Sequence, residues 1–248
     1  MANVRWGTFA FYIYMLSRLR LGRGLHFALG GVQLELFSLF IETSPIFLRG
    51  MLLTFQLTIV AVFIAIFIGL FFAFLKISNN VILEKIADLY IFLVRGTPLV
   101  VQIFIFYFGL TSLNISQFWS VVLGLAFHNG AYIAEIFRGA IQSIDKGQME
   151  AGRSLGMSLQ LAMRRIILPQ AFRRALPPLG NQFIIALKDS SLASFIGMYE
   201  LFNVATTLGS SDFDYMSYLL IVAVYYLVLV LFFSTLVGRV EKKMASSD

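Results

Sequence analysis

A run of 25 residues without a charged side chain, Met51–Leu75, limits what this chain can fold into. As a helix the run would be about 38 Å long, which exceeds the roughly 30 Å hydrocarbon core of a bilayer. The whole chain has the same character, since 59% of its 248 residues are apolar and only 13% are charged. Soluble domains carry about a quarter charged residues. We therefore predict an all-α integral membrane protein.

Four further apolar segments accompany this run. In chain order they are Tyr90–Leu113, Ser116–Phe137, about Pro178–Val204, and Tyr215–Val237. Together the five predict a core of five transmembrane helices. The sequence contains no convincing internal repeat, so we assign one transmembrane domain to residues 46–240, followed by a tail at 241–248. Residues 1–45 are expected to form either an interfacial helix or an extra span.

The distribution of basic residues predicts the orientation of the core. The connection after the third span, residues 138–177, and the tail contain most of them: Arg138, Lys146, Arg153, Arg164, Arg165, Arg173, Arg174, Arg239, Lys242 and Lys243. Basic loops remain in the cytoplasm, so this loop and the C-terminus are predicted to lie inside. With five spans Arg18, Arg20 and Arg23 would lie outside, which keeps the extra span open as an alternative. The same effect explains the net charge of +6 without nucleic-acid binding; membrane lipid is the expected surrounding.

Several kinds of chemistry have no residues to support them in this sequence. There is no Cys, which excludes disulfides and thiolate metal sites, and we expect no metal site. No G-x-x-x-x-G-K-[ST] stretch could hold ATP phosphates. His128 and Glu135 do not form H-E-x-x-H, and no G-x-S-x-G turn occurs. The chain is therefore not expected to be an enzyme.

The basic loop contains a segment, Lys146–Leu161, that favours a helix but has no apolar stripe wide enough for a core. Ala151, Gly152 and Gly156 are small, although glycine lowers helix propensity. Small residues on an exposed helix suit the close approach of another protein surface. An ordinary solvated loop would explain the composition equally well, so composition alone leaves both interpretations open.

Residues 150–169 read E-A-G-R-S-L-G, nine further residues, and I-I-L-P, which resembles the EAA loop of ABC-transporter permease subunits. The matching positions are Glu150, Ala151, Gly152, Gly156, Ile166, Leu168 and Pro169. Gly152 departs from the second Ala of the usual pattern but is also small. Three other stretches resemble the polar amino-acid uptake branch of that family: R-G-T-P at Arg95–Pro98, A-Y-I-A-E-I-F-R-G at Ala131–Gly139, and L-K-D-S-S-L-A-S at Leu187–Ser194. The resemblance extends from about Ile46 to Val240.

The resemblance implies a permease subunit in a prokaryotic inner membrane, with a five-span core and a cytoplasmic coupling helix between spans 3 and 4. It implies a dimer of ATPase subunits that binds ATP and Mg and receives Glu150–Gly156 in a cleft. A second permease, identical or homologous, and an extracytoplasmic amino-acid-binding protein complete the expected assembly, while this chain itself holds no cofactor. Its function would be to translocate a polar amino acid by alternating access.

Two other classes of membrane protein are alternatives to a permease. An ion-coupled secondary amino-acid transporter remains the alternative, but it would need inverted repeats and buried carboxylates for the ion. A purely structural assembly subunit would not need polar third and fourth spans.

Polar side chains inside the spans are candidates for the wall of the solute path, because such groups usually face a cavity or a partner. The candidates are Gln102, His128, Asn129, Asn181, Gln182, Lys188 and Asp189. Hydrogen bonds between helices are the alternative. Gln182, being neutral, is expected to disfavour a strongly cationic solute.

The charged residues of these spans carry further expectations. Lys188 and Asp189 are adjacent, so on a regular helix each needs another partner, or the helix unwinds there. Glu135 is expected to pair with Arg138 at i,i+3. Arg95 is expected to anchor the inner end of the second span by snorkelling.

Overall fold

The computed structural model describes residues 23–78 and 80–245, and within them it contains helices and connecting turns but no β-strand. The expectations for Arg18 and Arg20 fall outside the described residues. The chain divides into two units, residues 1–44 and 45–248. The helices are α1 (Arg23–Lys76), α2 (Val81–Arg95), α3 (Leu99–Phe104), α4 (Gln117–Gln142), α5 (Lys146–Ser154), α6 (Leu159–Ala162), α7 (Leu168–Asp189), α8 (Leu201–Ser211) and α9 (Tyr215–Ala245).

Three of these helices are long and apolar enough to cross a membrane: α1 over Glu35–Lys76, α4, and α9 over Tyr215–Lys243. The all-α membrane class is thereby confirmed. A fourth span is obtained if α2 and the stretch Leu99–Gly109 are counted together, although they meet at a bend of 100°. The α-helical part of that stretch, α3, passes into a π-helical turn at Ile105–Gly109.

The predicted span Tyr90–Leu113 is apolar but is not one continuous helix. It contains the end of α2, all of α3, the π-helical turn and a 3-10 turn at Thr111–Leu113, and α2 and α3 are separated at Gly96–Pro98. Pro98 has ψ 140° and caps α3 without being helical. Proline also disfavours the α conformation in the residue before it, so the chain turns there. On its other side α2 extends back to Val81, where Asn80 Oδ1 accepts a hydrogen bond from Ile82 N–H at 2.9 Å.

The predicted span Pro178–Val204 is also corrected. Helix α7 begins at Leu168, with Pro169 in its first turn, so Pro177 and Pro178 lie inside the helix. The α-helix ends at Asp189 and continues as a 3-10 turn over Ser190–Ile196. Of the two alternatives for Lys188 and Asp189, unwinding is therefore the one observed. The segment then reverses at Gly197, whose φ is +75°, before α8 starts.

Close approach of α1 and α4 depends on glycine. A Cβ on Gly69 would lie 2.4 Å from Ile133 Cγ2, and a Cβ on Gly130 would lie 2.7 Å from Ile68 Cγ2. Each helix thus receives an isoleucine of the other in a gap left by a glycine, which is how small residues bring membrane helices together. α4 also packs on α2, α3 and α7, so it is the central helix of the second unit.

A network of charged residues joins three helices near one end of the second unit. Lys76 Nζ lies 2.7 Å from Asp88 and 3.1 Å from Glu135, and Arg138 lies 2.7 Å from Glu135. The expected pairing of Glu135 with Arg138 is confirmed. Because these side chains are partly exposed, the network is expected to align the helices and to contribute little to the free energy of unfolding.

Candidate functional site

Helix α5 ends in a turn that only a few residue types can form. Gly156 N–H donates to Arg153 O at 3.0 Å, and Met157 N–H donates to Gly152 O at 3.1 Å. This pair of hydrogen bonds is a Schellman motif, whose residue after the cap adopts the left-handed conformation. Gly156 has φ +84° there and has open space where a Cβ would point. The role of Gly156 is therefore to fix the direction in which the chain leaves α5.

Gly152 and Ile166 are brought together inside the segment. Gly152 is buried, and a Cβ on it would lie 2.8 Å from Ile166 Cδ1 and 3.3 Å from the Cβ of Ala162. α5 therefore packs tightly against α6 and the π-helical turn Met163–Ile167. The replacement of the family's second Ala by Gly is explained by this internal contact.

The opposite side of the segment is exposed. Glu150, Ala151 and Gly156 are solvent-accessible, as is Leu155, whose side chain is 82% exposed. Sequence reasoning did not select Leu155, because a single apolar residue in a loop is common on protein surfaces and gives no signal by itself.

Leu168 and Pro169 lie apart from this exposed surface. They line a cavity of about 530 Å³ together with residues of α1 and α4, including Leu70 and Phe137. The predicted coupling residues thus divide into an exposed part on α5, an internal contact, and the start of α7. We use the term coupling segment for residues 146–169.

Asn129 of α4 and Gln182 of α7 form a buried pair. Gln182 Nε2 donates to Asn129 Oδ1 at 2.8 Å, and Asn129 Nδ2 donates to Leu125 O at 2.8 Å. These are the hydrogen bonds expected of the helix–helix alternative. The pair places two of the path candidates in contact at the interface of the two helices.

Gln102 holds the bend between α2 and α3. Its Nε2 donates to Val94 O at 2.8 Å, to Thr97 Oγ1 at 3.0 Å and to Thr97 O at 3.2 Å. The side chain is buried, and its Oε1 accepts no hydrogen bond within the described part of the chain. Gln102 therefore replaces the backbone hydrogen bonds that the break removes.

His128, Tyr132 and Arg95 form a column beside this bend. The rings of His128 and Tyr132 have centroids 5.2 Å apart, and Arg95 Cζ lies 4.9 Å from the Tyr132 centroid. Tyr132 lies ten residues before the end of α4 and fifteen after its start, so the guanidinium is near the middle of that helix. The expectation that Arg95 anchors the inner end of a span by snorkelling stays a prediction.

The remaining path candidates are dispersed along α7. Asn181 and Lys188 are exposed and Asp189 is half-buried, whereas Gln182 is buried. Among the described residues no ion pair within 4.0 Å involves Lys188 or Asp189. The assignment of Asn181, Lys188 and Asp189 to a solute path therefore stays a prediction.

Glu200 is a buried acid that sequence reasoning did not single out. Its carboxylate accepts hydrogen bonds from Asn203 N–H at 2.7 Å and Phe202 N–H at 2.9 Å, which caps α8. It also accepts from Tyr226 of α9 at 3.2 Å and from Thr54 of α1 at 3.4 Å. An acid in an apolar segment was the available signal. No group of three His, Cys, Asp or Glu residues in the described ranges could hold a metal ion.

Apolar helices long enough to cross a bilayer, a few buried polar side chains between them and an exposed helix between spans define a polytopic membrane protein of the transporter type. The model of one family, the binding-protein-dependent transport system inner membrane component, matches residues 65–246. The chain belongs to this family of ABC-transporter permeases.

Similar proteins agree with this membership. The chain is 37% identical over 215 residues to the arginine transport system permease protein ArtQ of Bacillus subtilis, covering 86% of this chain and 98% of that protein. It is 39% identical over 204 residues to the glutamine transport system permease protein GlnP of Escherichia coli, covering 81% and 93%. The structure of an amino acid ABC transporter crystallised with histidines matches with a TM-score of 0.78 at 41% identity, covering 82% of this chain and 96% of that chain.

Proposed function

We propose that this chain is the membrane-spanning subunit of an ATP-driven importer that moves a polar amino acid across the inner membrane of a prokaryote. The names of the relatives, which specify arginine and glutamine, support the class of solute. The observation that carries the proposal is the coupling segment, with a packed inner side at Gly152 and an exposed outer side at Leu155. A surface of this kind suits a separate ATPase subunit that docks on it.

The packing suggests how force on α5 reaches the membrane helices. α5 contacts the π-helical turn, which continues without a loop into α7. Ile167 of that turn and Ala171 of α7 are buried in one apolar cluster with Ile133 and Phe137 of α4. A displacement of α5 therefore moves the start of α7 against α4, because a packed cluster transmits displacement better than it deforms.

Alternating access follows if this displacement changes how the helices face the two sides of the membrane. Asn129 and Gln182 join the same two helices further along and form one wall of the proposed path. Gln102, His128, Asn181, Lys188 and Asp189 remain path candidates, and the preference of Gln182 against a cationic solute remains a prediction.

The assembly has the expected composition of such an importer. In this proposal ATP and Mg bind to a dimer of ATPase subunits, and this chain supplies no catalytic residue for ATP hydrolysis. A second permease, identical or homologous, and an extracytoplasmic amino-acid-binding protein complete it. Residues 46–240 form the permease domain, residues 1–45 an additional N-terminal segment, and residues 241–248 a cytoplasmic tail.

Co-purification tests this proposal. The chain is expressed in lipid with the ATPase encoded beside it, and ATP hydrolysis is measured with the loaded binding protein across a panel of amino acids. We expect a stable complex whose ATPase rate increases with one or a few polar amino acids. A chain that purifies without any ATPase, and transports an amino acid on an ion gradient, would make it the secondary transporter instead.

A further inference from the structure

Arg95 is a charged side chain without a counterion. It is the last residue of α2, is solvent-accessible, and lies over the face of the Tyr132 ring at 4.9 Å. No hydrogen bond and no ion pair to Arg95 occurs within the described residues. Stacking on the ring uses the face of the guanidinium and leaves the N–H donors along its edge free.

The depth of Arg95 makes this arrangement costly. Tyr132 is ten residues from the end of α4 at Gln142, about 15 Å along the axis, and fifteen residues from its start at Gln117, about 22 Å. A guanidinium at the middle of a membrane helix is unfavourable unless a cavity, a partner or an anion accompanies it. The cation–π contact compensates only in part.

A second observation on the elements beside Arg95 also indicates a ligand. Three buried polar atoms lack a hydrogen bond in the described chain: Gln102 Oε1, His128 Nδ1 and Glu135 Oε1. The last lies 3.1 Å from Lys76 Nζ and is therefore paired by charge. The other two belong to residues near the Arg95–Tyr132 stack: Gln102 hydrogen-bonds to the turn that follows Arg95, and His128 contacts Tyr132. Buried polar atoms without a partner require an explanation, and a rearrangement that opens them to a polar solute supplies one.

We propose that Arg95 binds the α-carboxylate of the transported amino acid, an inference that rests on the proposed function. A planar guanidinium matches a carboxylate with two parallel N–H···O hydrogen bonds, and one such group neutralises one monoanion. Tyr132 holds the plane of the guanidinium, and Gln102 fixes the end of α2 that carries it. Binding a group that every α-amino acid shares leaves selectivity for the side chain to the rest of the path.

The test measures binding to the purified permease–ATPase complex in lipid without the binding protein. The probes are radiolabelled L-glutamine and L-arginine, each competed by itself and by its carboxamide, which lacks the carboxylate. Wild type should prefer the acid to the amide by about 10-fold or more, as expected for a bidentate charged pair. Arg95→Gln should abolish this preference, and Arg95→Lys should retain part of it.

Arg138→Gln is the matched control, since it removes one positive charge from an arginine that is already paired with Glu135. It should preserve the preference for the acid. The proposal is overturned if Arg95→Gln still prefers the acid to the amide, or if neither probe binds to a wild-type complex that transports. It is also overturned if Arg95→Gln loses binding only because the two permeases no longer assemble. A wild-type complex without ATP-dependent transport would instead contradict the proposed function.

Discussion

At the scale of single residues, conformation and contact explain why particular side chains occur in the coupling segment. Gly156 is required by a positive φ of 84°, not by lack of space, because a Cβ there would meet nothing within 4 Å. Gly152 shows the reverse, since its position is crowded by Ile166. Glycine is thus favoured at these two positions, four residues apart, for different physical reasons. A sequence pattern of small residues does not distinguish between them.

Substitutions of Gly156 separate conformation from charge. Asn and Asp both tolerate the left-handed conformation better than other residues with a side chain. Gly156→Asn should therefore retain most ATPase binding, while Gly156→Asp should lose coupling because it adds a negative charge at the exposed end of α5. Co-purification and ATP-driven uptake are the measurements. If Gly156→Asp leaves both intact, the coupling segment has been assigned wrongly; equal losses in both variants would implicate bulk or backbone strain.

Glu200 should matter for stability because its carboxylate serves four donors on three helices. Glu200→Ala leaves two backbone N–H groups and two hydroxyls without this acceptor, and we expect a loss of about 2–4 kcal/mol in the free energy of unfolding. Thermal unfolding in detergent measures it. Glu200→Gln, which keeps two acceptor lone pairs and the shape, should lose less. Equal melting temperatures for wild type and Glu200→Ala would show that the cap contributes nothing.

At the scale of elements, the coupling segment and α7 form a nearly continuous series of helical turns. The short helices α5 and α6, the π-helical turn and α7 follow one another with only the Schellman turn between the first two. π-helical turns within helices often occur at functional sites. Here the turn holds Ile166 against Gly152 on one side and places Ile167 in the cluster with α4 on the other.

The exposed side of α5 is predicted to contact the ATPase. Leu155→Asp should weaken ATPase binding by at least 10-fold, because an apolar side chain that is covered in the complex is replaced by a charge. The fold should be unaffected, since Leu155 is 82% exposed. Binding of the ATPase to the permease in nanodiscs is measured beside the melting temperature. Leu159→Asp, on α6 and 49% exposed, is the control that locates the contact. Unchanged affinity for Leu155→Asp would place the docking surface elsewhere.

Hydropathy and the EAA-like spacing predicted the class of fold and a short helix within Lys146–Leu161, because both depend on local sequence. They marked Tyr90–Leu113 as one apolar segment and did not predict that the helices on either side of Gly96–Pro98 meet at 100°, since an average over a window does not register the direction in which a proline turns the chain. Nor did they predict the role of Glu200, whose partners include Thr54, 146 positions away. The contact between Arg95 and Tyr132, 37 positions apart, was likewise not predicted.

At the scale of the whole molecule, the packing around one helix joins the features described above. Helix α4 packs against α1, α2, α3 and α7, so it contacts both the helix that follows the coupling segment and the two helices that meet at the bend after Arg95. The coupling segment links α4 to α7 in the chain, and its basic residues predict a cytoplasmic location. Under the proposed function, docking and solute contact would involve different parts of the chain that are joined through α4.

The central claim is that an ATPase acting on the coupling segment drives solute through this chain. The most direct measurement is uptake of a radiolabelled amino acid into proteoliposomes that contain the permease, its ATPase and the binding protein. We predict accumulation only when ATP is present on the side of the membrane that α5 faces, and none with a hydrolysis-deficient ATPase. Accumulation in vesicles that lack the ATPase but have an ion gradient would contradict the account.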